Sequence, residues 1–177
     1  MRIGFITSND PRDRRSWSGT HYYMAQALQK HCGEVCYLGP IRPMLKPIAG
    51  GFAKAIQILL KKSYYHSHSV LVAKRYAKIL EQRISEQTLD WLVAPLASAE
   101  ISFLETELPI VYVSDSTFAL LLGYYPAFSR LLGTSIREGH TLEGLAINKA
   151  DLILYPSEWA AKSAVSDYHG DRRKIRA

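Results

Sequence analysis

The chain has 177 residues, 47% of them hydrophobic, and a formal net charge of +6. That length fits one domain, or one half of a two-domain enzyme, and buries roughly 70% of the surface an unfolded chain exposes, so no disulfide or metal is needed to hold it. No apolar run approaches the roughly 18 residues of a membrane span, and the first residues lack the basic flank and apolar stretch of a secretory signal; a cytoplasmic chain is expected.

Cys32 and Cys36 lie four apart at a helix-to-strand junction, without the spacing of a redox or zinc motif, and read as reduced core cysteines. The basic excess gathers in three places: Arg12, Arg14 and Arg15; Lys54, Lys61 and Lys62; and Arg172, Arg173, Lys174 and Arg176. A solvated surface with a basic tail, anionic substrates, and an anionic membrane surface on the inner face of the cell membrane all fit that charge. Nucleic acid is not an expected partner, because no stripe of aromatics interleaved with Arg and Lys occurs on a strand or helix.

In chain order, Ile3 to Ile6 is a short apolar strand. It runs into a loop ending Ser16, Trp17, Ser18 and Gly19, and a helix is predicted from Thr20 to His31. Apolar residues at Tyr23, Met24, Ala27 and Leu28 give that helix its spacing, with Ser18 or Thr20 as cap and Gly33 as stop. Glu34 to Leu38 is the second strand, closed by Gly39 and Pro40. Strand, helix, strand is the unit of a parallel sheet. Pro40, Pro43 and Pro47 keep the next segment irregular.

From Gly50 the spacing turns helical, with Phe52, Ala55, Ile56, Leu59 and Leu60 on one face and lysines off it. Such a helix packs on its neighbours or rests on a membrane surface. His66 and His68 have no third ligand nearby, and no metal site is expected. Val70 to Ile84 is the next helix, with Ala73, Ala77, Leu80 and Ile84 on its apolar side, and Asp90 to Pro95 the next strand. A short helix over Ala99 to Leu104 and a turn at Pro109 lead to the strand Ile110 to Val113. That strand ends in Ser114, Asp115, Ser116 and Thr117, where Asp115 either caps a helix beginning near Phe118 or hydrogen-bonds a ligand, or does both. Tyr124, Tyr125, Pro126 and Phe128 form an aromatic cluster suited to packing or to a lid or wall of a binding site.

Ser135 to Lys149 is predicted helical, with Leu142, Leu145, Ala146 and Ile147 apolar. Leu152 to Tyr155 follows as a strand. Ser157 caps the next helix and Glu158 complements its positive end. A basic turn and Ile175 read as the start of one more strand, which makes the chain an expected piece of something larger. The alternation of strands and helices implies an α/β fold, a Rossmann-like parallel sheet with helices on both faces and ligands at the carboxyl ends of its strands.

Three blocks of the chain are distinctive together: the first strand with its SWSGT loop and helix; VYVSDSTFALLLGYYPAF; and EGLAINKADLILYPSEWAAKSAVSDYHGDRRKIRA. They resemble the N-terminal domain of GT-B fold, family 4 type retaining glycosyltransferases, in outline over residues 1–177. The resemblance implies an acceptor-binding domain, with a C-terminal nucleotide-sugar-binding domain outside this chain. It implies transfer of a hexosyl type group from a nucleotide-sugar donor to a saccharide or lipid-linked acceptor, with retained anomeric configuration and neither metal nor other cofactor. In such a domain Trp17, Ser18, Gly19 and Thr20 would form the acceptor and donor-phosphate loop, and Ser114, Asp115 and Thr117 would approach the sugars. Glu143 would support the cleft from behind, and Ser157 and Glu158 would lie near the interdomain hinge. No catalytic side chain is carried over, because Ser18 stands where many members have the first glycine of a pair and Ser114 where many have a histidine.

Two other functions fit the same topology. One is an NAD(P)-binding oxidoreductase domain, against which stands a first loop with Gly19 as its only glycine instead of GxGxxG. The other is a non-enzymatic module that binds membrane surfaces through its basic residues.

Overall fold

Short apolar runs bounded by polar residues become six parallel strands in this protein, because each run is covered by neighbours in the sheet and by side chains on its faces. The computed structural model describes residues 1–42 and 62–177. The helix expected from Gly50, with Phe52, Ala55, Ile56, Leu59, Leu60, Lys54 and Lys61, lies outside the described residues, as do Pro43 and Pro47.

The elements are β1 (Arg2–Phe5), α1 (Thr20–His31), β2 (Glu34–Tyr37), α2 (Val70–Ser85), β3 (Trp91–Pro95) and α3 (Ser98–Ile101), then β4 (Ile110–Val113), α4 (Phe118–Leu121), α5 (Gly133–Lys149), β5 (Leu152–Leu154), α6 (Glu158–Ser166) and β6 (Ile175–Arg176). The sheet order is β2-β1-β3-β4-β5-β6, every pair parallel. This is a Rossmann-like α/β fold with interleaved helices. Two aspartates help hold the register at the amino ends of the strands: Asp90 accepts the Arg2 N–H at 2.7 Å and Asp151 accepts the Ile110 N–H at 2.9 Å.

The sheet separates two apolar layers. Ile3, Phe5 and Val93 meet α1 through Ala25, with Met24 and Leu28 at the margin. The larger layer joins Leu92, Ala94, Ile110, Tyr112 and Ile153 to residues of α2, α3, α5 and α6, among them Leu80, Ile101, Leu142 and Ala160. Each fully buried Leu or Ile there contributes roughly 1.5–3 kcal/mol.

Several expectations are corrected by how the helices seat. The buried face of α1 is carried by His21 and Ala25, whereas Tyr23 is 62% exposed and Ala27 is also exposed. Gly19, with φ +86°, is the N-cap of α1, so neither Ser18 nor Thr20 caps it by a side chain. Leu145 faces solvent on α5 while Glu143 is buried. Cys32 is exposed at the C-cap of α1, and Cys36 is half-buried on the edge strand β2; both are free thiols but neither is a core residue. Asp115 does not cap the helix at Phe118: α4 begins after Thr117 and has no side-chain cap. The Ser157 cap is present, its hydroxyl accepting the Ala160 N–H at 3.3 Å. No helix among the described residues is long and apolar enough to cross a membrane.

Phe118 is seated on α5 at Gly139, where an added Cβ would stand 2.3 Å from the ring. Alanine is intrinsically the better helix former by about 1 kcal/mol. The ring is buried, however, and overpacking costs about 1–3 kcal/mol. Gly139→Ala is therefore expected to lower stability in urea denaturation despite its helix propensity, and Gly139→Ala combined with Phe118→Leu to recover most of the loss.

Candidate functional site

The order of the sheet fixes where a ligand can enter. From β1 the chain crosses to β2 on one side and from β3 to β4 on the other, so the connections leave the carboxyl ends of β1 and β3 toward opposite halves of the sheet and open a crevice between them. A cavity of about 440 Å³ occupies this end of the molecule. Its walls come from the β1–α1 loop (Trp17, Thr20), the end of β3 (Pro95, Leu96), the end of β4 (Ser114, Asp115) and the residues after β5 (Tyr155, Pro156).

The backbone of the rim is held in uncommon conformations. Trp17, Ser18 and Leu96 have φ of 49°, 53° and 54°, in the left-handed region, followed in the first loop by Gly19. Non-glycine residues there cost of order 1–3 kcal/mol each and persist only where surrounding structure holds them. The loop is braced by two Asx turns, in which Asp10 Oδ1 accepts the Arg12 N–H and Asp13 Oδ1 the Arg15 N–H, at 2.9 and 3.0 Å. The result sets the Trp17 indole at the mouth of the cavity, 51% exposed.

The sequence candidates divide on inspection of their partners. Asp115 is exposed and makes no hydrogen bond or ion pair among the described residues, which leaves its carboxylate available to a ligand. Ser114 lines the same cavity but donates to the Ser116 carbonyl at 2.7 Å. Thr117 is not brought to the cavity: it is buried, its hydroxyl 2.6 Å from Ser163 Oγ, which donates in turn to Asp167 at 2.5 Å. Ser18 is exposed and Gly19 buried beside it. Ser157 and Glu158 lie just past the carboxyl end of β5, Ser157 engaged as the cap of α6 and Glu158 in an exposed pair with Arg172 at 3.8 Å.

Two residues at the cavity carry no such expectation. Leu96 links the cavity to the spaces on either side of it. Tyr155 is buried, and its hydroxyl has no hydrogen-bond partner. The signal for Tyr155 was a residue with a polar tip at the end of an apolar strand.

Glu143 does stand behind the cleft. It lies on α5, 4% exposed, and accepts the Tyr112 hydroxyl at 3.1 Å, which ties α5 to the centre of β4. A smaller space of about 70 Å³, lined in part by Trp17, Phe128 and Glu143, adjoins the cavity. Burial pushes its pKa up to about 7, with hydroxyl donors Ser98 and Tyr112 opposing the rise and the nearby charge of Asp115 adding to it.

The basic groups are largely committed to the chain. Arg12 sits over the Tyr37 ring and Arg14 over the Tyr22 ring, with Arg14 also donating to Tyr22 at 2.9 Å. Arg15 pairs with Asp13 and Arg173 with Asp171. Lys174 donates to the Ala150 carbonyl, and Arg176 to those of Arg173 and Ile175. No group of three or more metal-ligating side chains occurs among the described residues.

Glu143 has a sign that can be checked. Its folded pKa lies above the unfolded value of 4.5, so the folded state holds the proton more tightly. Stability is fully present below about pH 4.5 and is lost as pH rises through about 7, by about 3 kcal/mol. Glu143→Gln keeps an acceptor for Tyr112 and removes the charge, and is expected to flatten this fall: urea midpoints of variant and parent differ little near about pH 5 and favour the variant near about pH 8. Comparison with protein-family models finds no match for this chain, and comparison with curated proteins finds none either.

Proposed function

We propose that the chain is the acceptor-binding half of a retaining glycosyltransferase, working with a nucleotide-sugar-binding domain outside residues 1–177. One observation carries the reading. The three sequence blocks that resemble such enzymes are far apart in the chain, yet each supplies part of the rim of one cavity: Trp17 and Thr20 from the first, Ser114 and Asp115 from the second, Tyr155 and Pro156 from the third.

The chemistry follows from that placement. The donor's anomeric carbon is presented by the other domain, its C–O bond to the diphosphate breaks as an acceptor hydroxyl forms a new C–O bond on the same face, and the hydroxyl proton passes to the departing diphosphate oxygen. This half holds the acceptor. The Trp17 indole offers an apolar face to a sugar ring, and the Asp115 carboxylate accepts from sugar hydroxyls. The N-terminus of α1, with no side-chain cap, adds backbone donors and the positive end of a helix dipole next to the site of the diphosphate. The transferase is cytoplasmic in this proposal, and the acceptor is a saccharide or lipid-linked saccharide. An oxidoreductase role draws no support from the first loop, which runs from Ile6 to Gly19 and lacks the tight glycine turn of dinucleotide sites.

Transfer of label from a panel of nucleoside-diphosphate sugars to oligosaccharide acceptors tests this directly. Residues 1–177 alone are expected to give no transfer, and a longer chain that includes the donor domain to give it. In that longer chain Asp115→Asn and Trp17→Ala are expected to lower kcat/KM by roughly 10- to 100-fold through lost positioning. Transfer by residues 1–177 alone would overturn the division of labour, and micromolar binding of NAD or NADP would favour the oxidoreductase instead.

A further inference from the structure

The face of the sheet that carries α1 is bare over β3, β4 and β5. The step from β1 to β2 runs toward one edge of the sheet, and the steps from β3 to β4, β5 and β6 run toward the other. Right-handed crossovers put the connecting helices of the two directions on opposite faces. Among the described residues α1 is accordingly the one helix packed on its face, with α2, α3, α5 and α6 on the other. The side chains of β3, β4 and β5 on the α1 face are apolar all the same: Trp91 and Val93, Val111 and Val113, Leu152 and Leu154. Phe5, Val93, Val111 and Leu152 stand side by side in the parallel register, so this floor is continuous. Trp91 is 38% exposed there, and Val111, Val113 and Leu154 are half-buried.

α1 makes a wall along this floor. Met24, Leu28 and Cys32 line a groove of about 440 Å³ together with Trp91, Val113 and Leu154, and no charged side chain among the described residues lines it. Tyr23 and Ala27 stand next to them on the helix surface, and both are exposed. The apolar spacing Tyr23, Met24, Ala27, Leu28 is therefore a real stripe, placed along the groove instead of under the helix. Its dimensions limit what covers it. Three strands, three to five residues long, present a face of roughly 200 Å² at a spacing of about 4.8 Å. Even with the α1 wall, the groove stays well below the ~800 Å² per partner of a stable protein–protein interface. Shape also holds off a second copy: sheets stack about 10 Å apart, yet each would carry on this face an α1 of about that diameter. The α1 of a second copy laid in the groove would press its exposed outer residues, Gln26 and Lys30, onto the apolar floor. The floor is ~13 Å long, which matches about nine residues of helix.

We propose that this groove seats one amphipathic helix from the part of the same polypeptide outside residues 1–177, packed beside α1 with its apolar stripe on Trp91, Val111, Val113 and Leu154. A patch of this size is too small to hold a separate protein, whereas a segment already joined to the chain acts at an effective concentration of order millimolar. Apolar residues at i, i+3, i+4 and i+7 of that helix meet the floor, and its polar face continues the Gln26 and Lys30 side of α1. The small side chain of Ala27 lets the two helices approach closely. Met24, Val113 and Leu154 line both this groove and the cavity at the carboxyl ends of the strands, so a helix seated in the groove closes one side of that cavity. The inference rests on the two-domain reading for the existence of the further chain.

Thiol labelling tests the proposal, with Cys36, packed against the opposite face of the sheet, as internal reference. The 177-residue chain and the longer chain are treated with iodoacetamide, and the peptides holding Cys32 and Cys36 are quantified by mass spectrometry. Relative to Cys36, Cys32 is expected to react ~10-fold or more slowly in the longer chain. Ala27→Arg, at an exposed position, and Val111→Lys, in the floor, are expected to restore its rate there. Hydrogen exchange is expected to show one helical stretch outside residues 1–177 losing protection in the same variants. Ala27→Arg is expected to leave the urea midpoint of the 177-residue chain unchanged, and where Val111→Lys does not fold it carries the test alone. Equal Cys32 reactivity in the two chains, or a Cys32 already slow in residues 1–177, would overturn the inference. So would protection that rises with the concentration of residues 1–177, protection that survives Ala27→Arg, or exchange that changes across the whole added domain instead of one stretch. Cys32 protected in a longer chain that transfers no sugar sinks the glycosyltransferase reading and keeps the groove; sugar transfer by a chain in which Cys32 stays reactive does the reverse.

Discussion

β1 has a hydrogen-bonded neighbour on each side, and both its faces are covered, so its backbone can meet polar partners beyond the sheet only past its last residue. The position of the candidate site is a consequence of that confinement. Buried parallel strands tolerate almost no polar side chains along their length, and the polar residues of the connecting segments are pushed to the ends. At the carboxyl ends the connections diverge around β1, and the gap they leave is walled by Trp17, Leu96, Asp115 and Tyr155. The amino ends are closed by contrast, with Asp90 and Asp151 accepting the first N–H groups of neighbouring strands.

A few polar groups nonetheless sit deep in the fold, and their partners explain how. Glu143 is tolerated because Tyr112 and Ser98 donate to it. Glu100 is tolerated because Ser8 does. Both lie on helices that press the same face of the sheet, directly below the crevice, so the layer under the site is more polar than the rest of the core. The arrangement couples protonation to stability, whereas a layer of leucines would be indifferent to pH. Tyr155 and His21 differ from these carboxyls in having a polar atom with no partner at all.

The sheet was legible because its strands are continuous apolar runs closed by Gly, Pro or Asp, and every strand expected from the sequence is present to within about two residues at its ends. The rim was legible in part: Trp17, Thr20, Ser114 and Asp115 follow from reading the residues just beyond strand ends. What failed was the phase of α1. A helix beginning Thr, His, Tyr, Tyr offers two plausible faces, and size favours Tyr23 inward, but the left-handed turn before it rotates His21 and Ala25 onto the sheet. Glu100 left a clearer trace, as the lone charge among Leu96, Ala97, Ala99, Ile101 and Phe103, a pattern that marks a buried carboxyl more often than a solvated one. Thr117 shows the converse: hydroxyl residues after a strand can be spent on joining helices, and nothing in the local sequence distinguishes the two uses.

Three successive residues of the first loop, Trp17, Ser18 and Gly19, hold left-handed backbone angles, and only one of them is a glycine. Asparagine at positions 17 and 18 would adopt that turn with less strain, but at position 17 only by giving up the indole that the turn displays. The loop is thus a place where ease of folding and display of an aromatic side chain pull apart, and the backbone of this chain carries the strain of the second.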